Sequence, residues 1–129
     1  INNFSNKNLF LKQAEKVIFE GRRNSLYRCL TNIIQNGLTY GDSVFISVEK
    51  TSNRLLIFVE DNGAGIPVEE YRNVFKPFYR LDKSRSLNKS GVGLGLSISE
   101  DIISSHGGNI QLSKSKKYKG LQIKISLPF

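Results

Sequence analysis

The order of periodicities along this 129-residue chain predicts a two-layer α/β (α+β) sandwich, with helices on one face of a mixed sheet. Three observations carry that reading. Residues 24–40 and 94–105 repeat apolar side chains at helical spacing. Five shorter segments are continuously apolar or alternate in twos. The two kinds follow one another as β-α-β-β-α-α-β-β, with no internal repeat and no second domain.

Taken in order, residues 1–14 are polar and irregular, an N-terminal linker or a partial first element, and the domain proper runs over residues 15–129. Glu15 to Glu20 (EKVIFE) is a short strand candidate ended by Gly21. From residue 24, Leu26, Cys29, Leu30, Ile33, Ile34 and Leu38 trace one helix face, with Asn24 or Ser25 as N-cap and a stop near Tyr40 and Gly41. Residues 43–50 and 54–60 are two strands joined through Thr51-Ser52-Asn53, a hairpin. Pro67 starts a short helix through Tyr71, favoured by Glu69 and Glu70 in its first turn, and Phe75-Lys76-Pro77-Phe78 interrupts it. Residues 79–90 are basic, nearly devoid of apolar side chains, and read as a mobile loop. The second long helix, carried by Leu94, Ile98, Ile102 and Ile103, stops at Gly107-Gly108. Strands over 109–113 and 121–127 close the chain, the last alternating cleanly at Leu121, Ile123, Ile125 and Leu127.

Composition narrows the class. With 39% hydrophobic and 23% charged residues the chain suits one globular core, and no apolar run approaches the roughly 20 residues that span a bilayer. A chain that begins at Ile1 without a signal peptide reads as a piece of something longer. The single cysteine, Cys29, lies on the apolar helix face and reads as a buried structural thiol suited to a reducing compartment. One histidine excludes a His-rich metal cluster. It is His106, which precedes the two glycines at a helix end and reads as a cap of terminal carbonyls. The net charge of +8 permits nucleic-acid or acidic partners, but the charge is spread and no nucleic-acid motif accompanies it, so nucleic-acid binding is not expected.

Two glycine boxes carry the chemistry. Asp61-Asn62-Gly63-Ala64-Gly65-Ile66-Pro67 follows a strand, which leaves the Asp61 carboxylate exposed at the sheet edge, suited to accept from an exocyclic amine. Gly63 and Gly65 allow a sharp turn and a close ligand approach. Gly91-Val92-Gly93-Leu94-Gly95-Leu96 enters a helix, an arrangement that favours phosphate, and it matches neither a Rossmann fingerprint nor a Walker loop. On the first long helix, Asn32, Asn36 and Tyr40 share one side at spacings of four. An amide oxygen is a hard ligand suited to Mg²⁺, and a tyrosine ring suits a base; a solvated polar face would look the same. Arg80, Lys83, Arg85 and Lys89, between the boxes, are candidates for neutralising phosphate.

With these residues in view, the sequence from about Glu15 to Phe129 resembles the catalytic, ATP-binding domain of bacterial sensor histidine kinases, the Bergerat-fold group shared with gyrase, Hsp90 and MutL. Leu30-Thr31-Asn32-Ile33-Ile34-Gln35-Asn36-Gly37 is similar to the N box, Asp61 to Ile66 to the G1 box, Phe75-Lys76-Pro77-Phe78 to the F box, and Gly91 to Leu96 to the G2 box. The resemblance implies a Bergerat fold: a mixed five-stranded sheet with about three helices on one face and a flexible ATP lid. It implies ATP and Mg²⁺ as ligands, with Asn36 on the metal and Asn32 supporting the phosphate side. It further implies Asp61 on the adenine amine and Tyr40 along the base, followed by Gly63, Gly65 and Ile66. Tyr79, Arg80, Lys83 and Arg85 would belong to the lid, and Gly91, Val92, Gly93, Leu94, Gly95 and Leu96 would cradle the phosphates. The FYRLDKSRS wording of the lid is similar to that of osmosensor-type kinases.

The resemblance also implies what the chain leaves to other parts. The phosphoacceptor histidine and its dimerisation helices are not among these residues, so the expected partners are that domain of the same parent protein and a response regulator. The expected setting is a cytoplasmic domain of a membrane-anchored parent. Departures from the family pattern fall at Gly37, a poorer helix former than the usual alanine by about 1 kcal/mol, at Thr39 in place of a basic residue, and at Val92 in place of a hydroxyl. These leave room for a non-catalytic nucleotide-sensing or docking domain on the same fold.

Overall fold

The structure, a computed structural model, describes residues 9–14, 21–76 and 94–128. Its elements are β1 (Leu9–Ala14), α1 (Arg23–Tyr40), β2 (Val44–Lys50), β3 (Arg54–Asp61), α2 (Leu94–Ser105), β4 (Asn109–Lys114) and β5 (Leu121–Pro128). Two single-turn 3₁₀ helices, Val68–Glu70 and Asn73–Phe75, lie between β3 and α2. The strands form one sheet in the order β1-β2-β3-β5-β4, parallel between β1 and β2 and antiparallel elsewhere. The mixed five-stranded sheet with its helical layer is the architecture expected.

Register explains the core. Ile46 faces Val59, which faces Ile123, and Ile57 faces Ile125, so alternate residues of the central strands line one face. That face meets Cys29, Ile33 and Ile34 of α1 and Leu96 and Ile103 of α2, all buried. At about 2 kcal/mol for each large aliphatic side chain removed from water, this seam dominates the favourable side of folding. The two helices are also joined by polar contacts: the Ser99 hydroxyl donates to the Cys29 carbonyl at 3.1 Å, while the Cys29 thiol donates to the Ser99 carbonyl at 3.8 Å. Cys29 is therefore the buried thiol its setting predicts, and burial pushes its pKa up to about 11.

Differences from the sequence reading fall at the start of the chain. Strand β1 occupies residues 9–14, inside the segment taken as linker or partial element; the strand candidate over 15–20 lies outside the described residues. Helix α1 begins at Arg23, and its N-cap is Arg22, extended and without a side-chain capping bond, rather than Asn24 or Ser25. The reason is tertiary. The Arg22 backbone N–H donates to His106 Nε2 at 3.0 Å and its guanidinium donates to Ser105, so the end of α2 fixes where α1 starts. The other ring nitrogen of His106 meets the Ile102 carbonyl at 2.8 Å, the capping contact expected of it, and Gly107 (φ +80°) closes the helix. The short helix after Pro67 takes 3₁₀ form, and Val74 of the second turn reaches the core.

Candidate functional site

Asp61 ends β3 at the point where four segments converge: the end of α1, the loop 41–43, the first glycine box, and the start of β5. Its side chain is only 7% exposed, so the carboxylate is tucked under the sheet end rather than exposed at its edge. Two backbone N–H groups hold one oxygen: Gly63 donates to Oδ1 at 2.9 Å and Leu121 donates to Oδ1 at 3.2 Å. Both bonds fall on Oδ1, so Oδ2 keeps acceptor capacity for a ligand. Burial raises the pKa of this carboxyl, and the two N–H donors offset only part of that rise.

The surroundings keep bulk away from Asp61. A Cβ on Gly120 would lie 2.2 Å from Oδ1, and the Gly120 N–H donates to the Asp61 carbonyl at 3.1 Å. On the other side, a Cβ on Gly37 would lie 3.8 Å from Oδ2 and only 2.8 Å from Val44 Cγ2. Gly37 is therefore a close-packing position between α1 and β2, a reason for glycine there that helix propensity alone does not supply.

Asn62 ties two of these segments together. Its Oδ1 accepts from the Asp42 and Ser43 N–H groups, both at 2.9 Å, which staples the loop after α1 to the glycine box. Gly41 sits tightly in the same place, where a Cβ would meet Gly63 N at 3.0 Å. Sequence reasoning passed over Asn62, Gly41 and Gly120. The signal for the first was present, since an asparagine side chain next to a glycine turn is built to accept from nearby backbone N–H groups.

The predicted site residues divide as follows. Asn32 and Asn36 stand one turn apart on α1 and are half-buried. Tyr40 closes that helix, though its side chain lies outside the description. Gly63, Gly65 (φ +80°) and Ile66 follow Asp61 directly, with Ile66 packed against the core. Leu94 and Gly95 begin α2, and the Leu96 side chain is 4% exposed in the core, which leaves its backbone as the part able to meet a ligand. Tyr79, Arg80, Lys83, Arg85, Gly91, Val92 and Gly93 lie outside the described residues, as do Pro77 and Phe78 of the F box. Phe75 packs half-buried against the core. Among the described residues no group of three or more His, Cys, Asp or Glu side chains is placed to hold a metal ion. A separate open groove of about 1140 Å³, between the 3₁₀ turns and β4, includes neither Asp61 nor Asn36.

Comparison with known proteins agrees with this geometry. Residues 21–129 match the family described as histidine kinase-, DNA gyrase B-, and HSP90-like ATPase. The chain is 34% identical over 124 residues to the sensor protein SrrB of Staphylococcus aureus, covering 94% of this chain and 21% of that protein. It thus spans about a fifth of the length of the curated relatives it matches. Among solved structures, the catalytic domain of the histidine kinase ThkA superposes with a TM-score of 0.76 at 26% identity, over 94% of this chain and 80% of that one. The ATP-binding domain of PrrB from Mycobacterium tuberculosis gives 0.76 at 25% identity, over 94% and 79%. The mycobacterial sensor histidine kinase MprB, at 23% identity, shares the fold with a TM-score of 0.79, over 94% and 82%.

Proposed function

The chain belongs to the histidine kinase-, DNA gyrase B-, and HSP90-like ATPase family, and on that premise we propose that it binds Mg-ATP and presents the γ-phosphate to a histidine on a separate dimerisation domain of its parent protein. The observation that carries the reading is the state of Asp61: two backbone N–H groups hold one carboxylate oxygen, and neither of these bonds falls on the other. A carboxylate fixed in orientation by backbone donors suits the exocyclic amine of adenine, because its acceptor geometry is set before the ligand arrives.

In this reading Tyr40 lines the base while Gly63, Gly65 and Ile66 follow its edge. Asn36 offers its amide oxygen to Mg²⁺, and Asn32 supports the phosphate side. Mg²⁺ keeps several waters and takes few protein ligands, so one amide oxygen together with nucleotide phosphates is a sufficient set. Gly91 to Leu96 approach the phosphates through backbone N–H groups, Arg80, Lys83 and Arg85 supply the covering cations, and Tyr79 belongs to the same covering segment. The chain's own contribution is to hold the nucleotide and orient it, which is most of what phosphoryl transfer asks of a protein. The receiving histidine, the response regulator beyond it and the membrane anchor of the parent belong to the same proposal.

Titration with a fluorescent ATP analogue and Mg²⁺ tests the binding step. Saturable binding by the wild-type chain that is lost in Asp61→Asn supports it, and equal binding by both overturns it. In the full-length parent, γ-labelled ATP labels a histidine, and Asn36→Ala abolishes the label.

A further inference from the structure

The face of the sheet turned away from the helices carries an apolar ridge set beside a lysine-rich turn. Phe10 of β1 stacks on Phe45 of β2 with ring centroids 5.3 Å apart and planes 15° from parallel. Tyr118, reaching over from the β4–β5 turn, stacks on the other side of Phe45 at 3.7 Å and 2°. Neighbouring strands are themselves about 4.8 Å apart. Rings stacked at that spacing stand on edge, so the row presents a ridge of ring edges; Phe45 is covered on both faces, and Lys117 Nζ lies 5.5 Å from the Tyr118 ring centroid. Phe10 is 40% exposed.

The turn beside the ridge is built to be rigid. Ser115 is fully buried; its hydroxyl donates to Glu60 at 2.8 Å and accepts from the Tyr118 N–H at 3.0 Å. The Ser115 N–H donates to the Gly120 carbonyl, the Lys119 N–H donates to the Ser115 carbonyl, and Lys119 is held at φ +77°. From this frame Lys114, Lys116, Lys117 and Lys119 project into solvent, four cations in six residues, with Lys12 exposed on β1. Glu60 accepts from the Ser115 hydroxyl at the base of this frame.

We infer that this corner of the domain docks on an anionic lipid surface, with the ring edges at headgroup level and the lysines over lipid phosphates. Two features favour lipid over single-stranded nucleic acid. Base stacking needs free ring faces, and here Phe45 is covered on both sides and Tyr118 lies between Phe45 and Lys117. The cations of the turn are all lysines, which act as compact point charges and lack the bidentate fork with which arginine grips an individual phosphate. Exposed lysines beside aromatic side chains match the charge and the polarity gradient of a membrane interface. The inference does not depend on the nucleotide reading.

Co-sedimentation of the chain with phosphatidylcholine vesicles carrying phosphatidylglycerol tests it. Expected is binding to these vesicles and none to pure phosphatidylcholine, weakened when salt rises from about 0.1 M to about 0.5 M. Combined Lys116→Glu, Lys117→Glu and Lys119→Glu lowers partitioning about a hundredfold, given the usual contribution of each basic residue near such a surface. Phe10→Ser lowers the binding that survives high salt. Arg28→Glu, an exposed position on α1, leaves binding unchanged, and thermal melts confirm that every variant is folded. No binding to anionic vesicles, equal loss in Arg28→Glu, or binding of a fluorescent oligonucleotide but not of vesicles overturns the inference.

Discussion

Gly120 and Asp61 are in contact so close that a single added methyl group would sit 2.2 Å from the carboxylate and 2.3 Å from the Asp61 backbone oxygen. Neither neighbour is the free end of a flexible side chain, so the backbone must move. Gly120→Ala is expected to cost about 3 kcal/mol, the upper range for overpacking, and to lose the Gly120 N–H bond to Asp61. A denaturant melt measures the first effect and nucleotide titration the second. Wild-type values for both would mean that this contact is slack.

Asp61→Asn separates stability from binding. The native carboxyl has a raised pKa, so the folded state binds its proton more tightly than the unfolded chain. Its contribution is present below the ordinary carboxylate pKa and lost as pH climbs through the raised value. Asparagine removes that dependence. The variant should match or exceed wild-type stability at neutral pH, show a flatter stability–pH curve above the ordinary carboxylate pKa, and fail to bind nucleotide. Wild-type binding, in turn, should weaken on acidification through the raised pKa.

Asn62→Ala removes the acceptor shared by the Asp42 and Ser43 N–H groups. Because Asn62 is exposed, water replaces much of what is lost, and the stability cost should be about 1 kcal/mol. Nucleotide affinity should fall by more than that figure alone implies, since the loop after α1 is no longer fixed against the glycine box. Asn62→Asp, which keeps an acceptor, should recover part of both.

Gly37 and Val44 should behave as a coupled pair. Gly37→Ala gains about 1 kcal/mol of helix propensity but drives a methyl to 2.8 Å from Val44 Cγ2, so the single variant should be destabilised. Val44→Ala alone leaves a cavity. Combined, the two changes should destabilise by clearly less than the sum of the single effects, which a double-mutant cycle measures.

Cys29 gives an internal report on unfolding. With its thiol fully buried and its pKa pushed up to about 11, almost no thiolate exists at pH 8. A disulfide reagent should leave the native chain unmodified for as long as it stays folded, and react at once in denaturant. Rapid labelling of the native protein would show that the α1–α2 seam opens.

The helices, the central hairpin and the last strand were legible because each writes its burial into a local period: 3.6 for Ile33, Ile34 and Leu38, two for Leu121 to Leu127. Strand β1 was not, since an edge strand with Phe10, Leu11 and Lys12 exposed carries no such alternation. The start of α1 escaped for a different reason, being set by Ser105 and His106, more than eighty residues away. Residue type and spacing were enough to nominate Asp61 and the asparagine stripe as candidates. Gly120 was not, because its role is defined wholly by a partner across the sheet. The burial of Asp61 was hidden likewise, depending on the Leu121 N–H arriving from β5.

Strand β5, third in sequence among the antiparallel strands that follow β2 but seated between β3 and β4, has a consequence for synthesis. Until residues 120 and 121 have left the ribosome, Asp61 lacks two of the three backbone donors that fix it, and β3 has an open flank. A nascent or prematurely ended chain carries every residue of the Asn32–Asn36 helix and both glycine boxes, yet lacks a finished acceptor at Asp61. Pairing of β5 with β3 and completion of the Asp61 corner are thus nearly the same event.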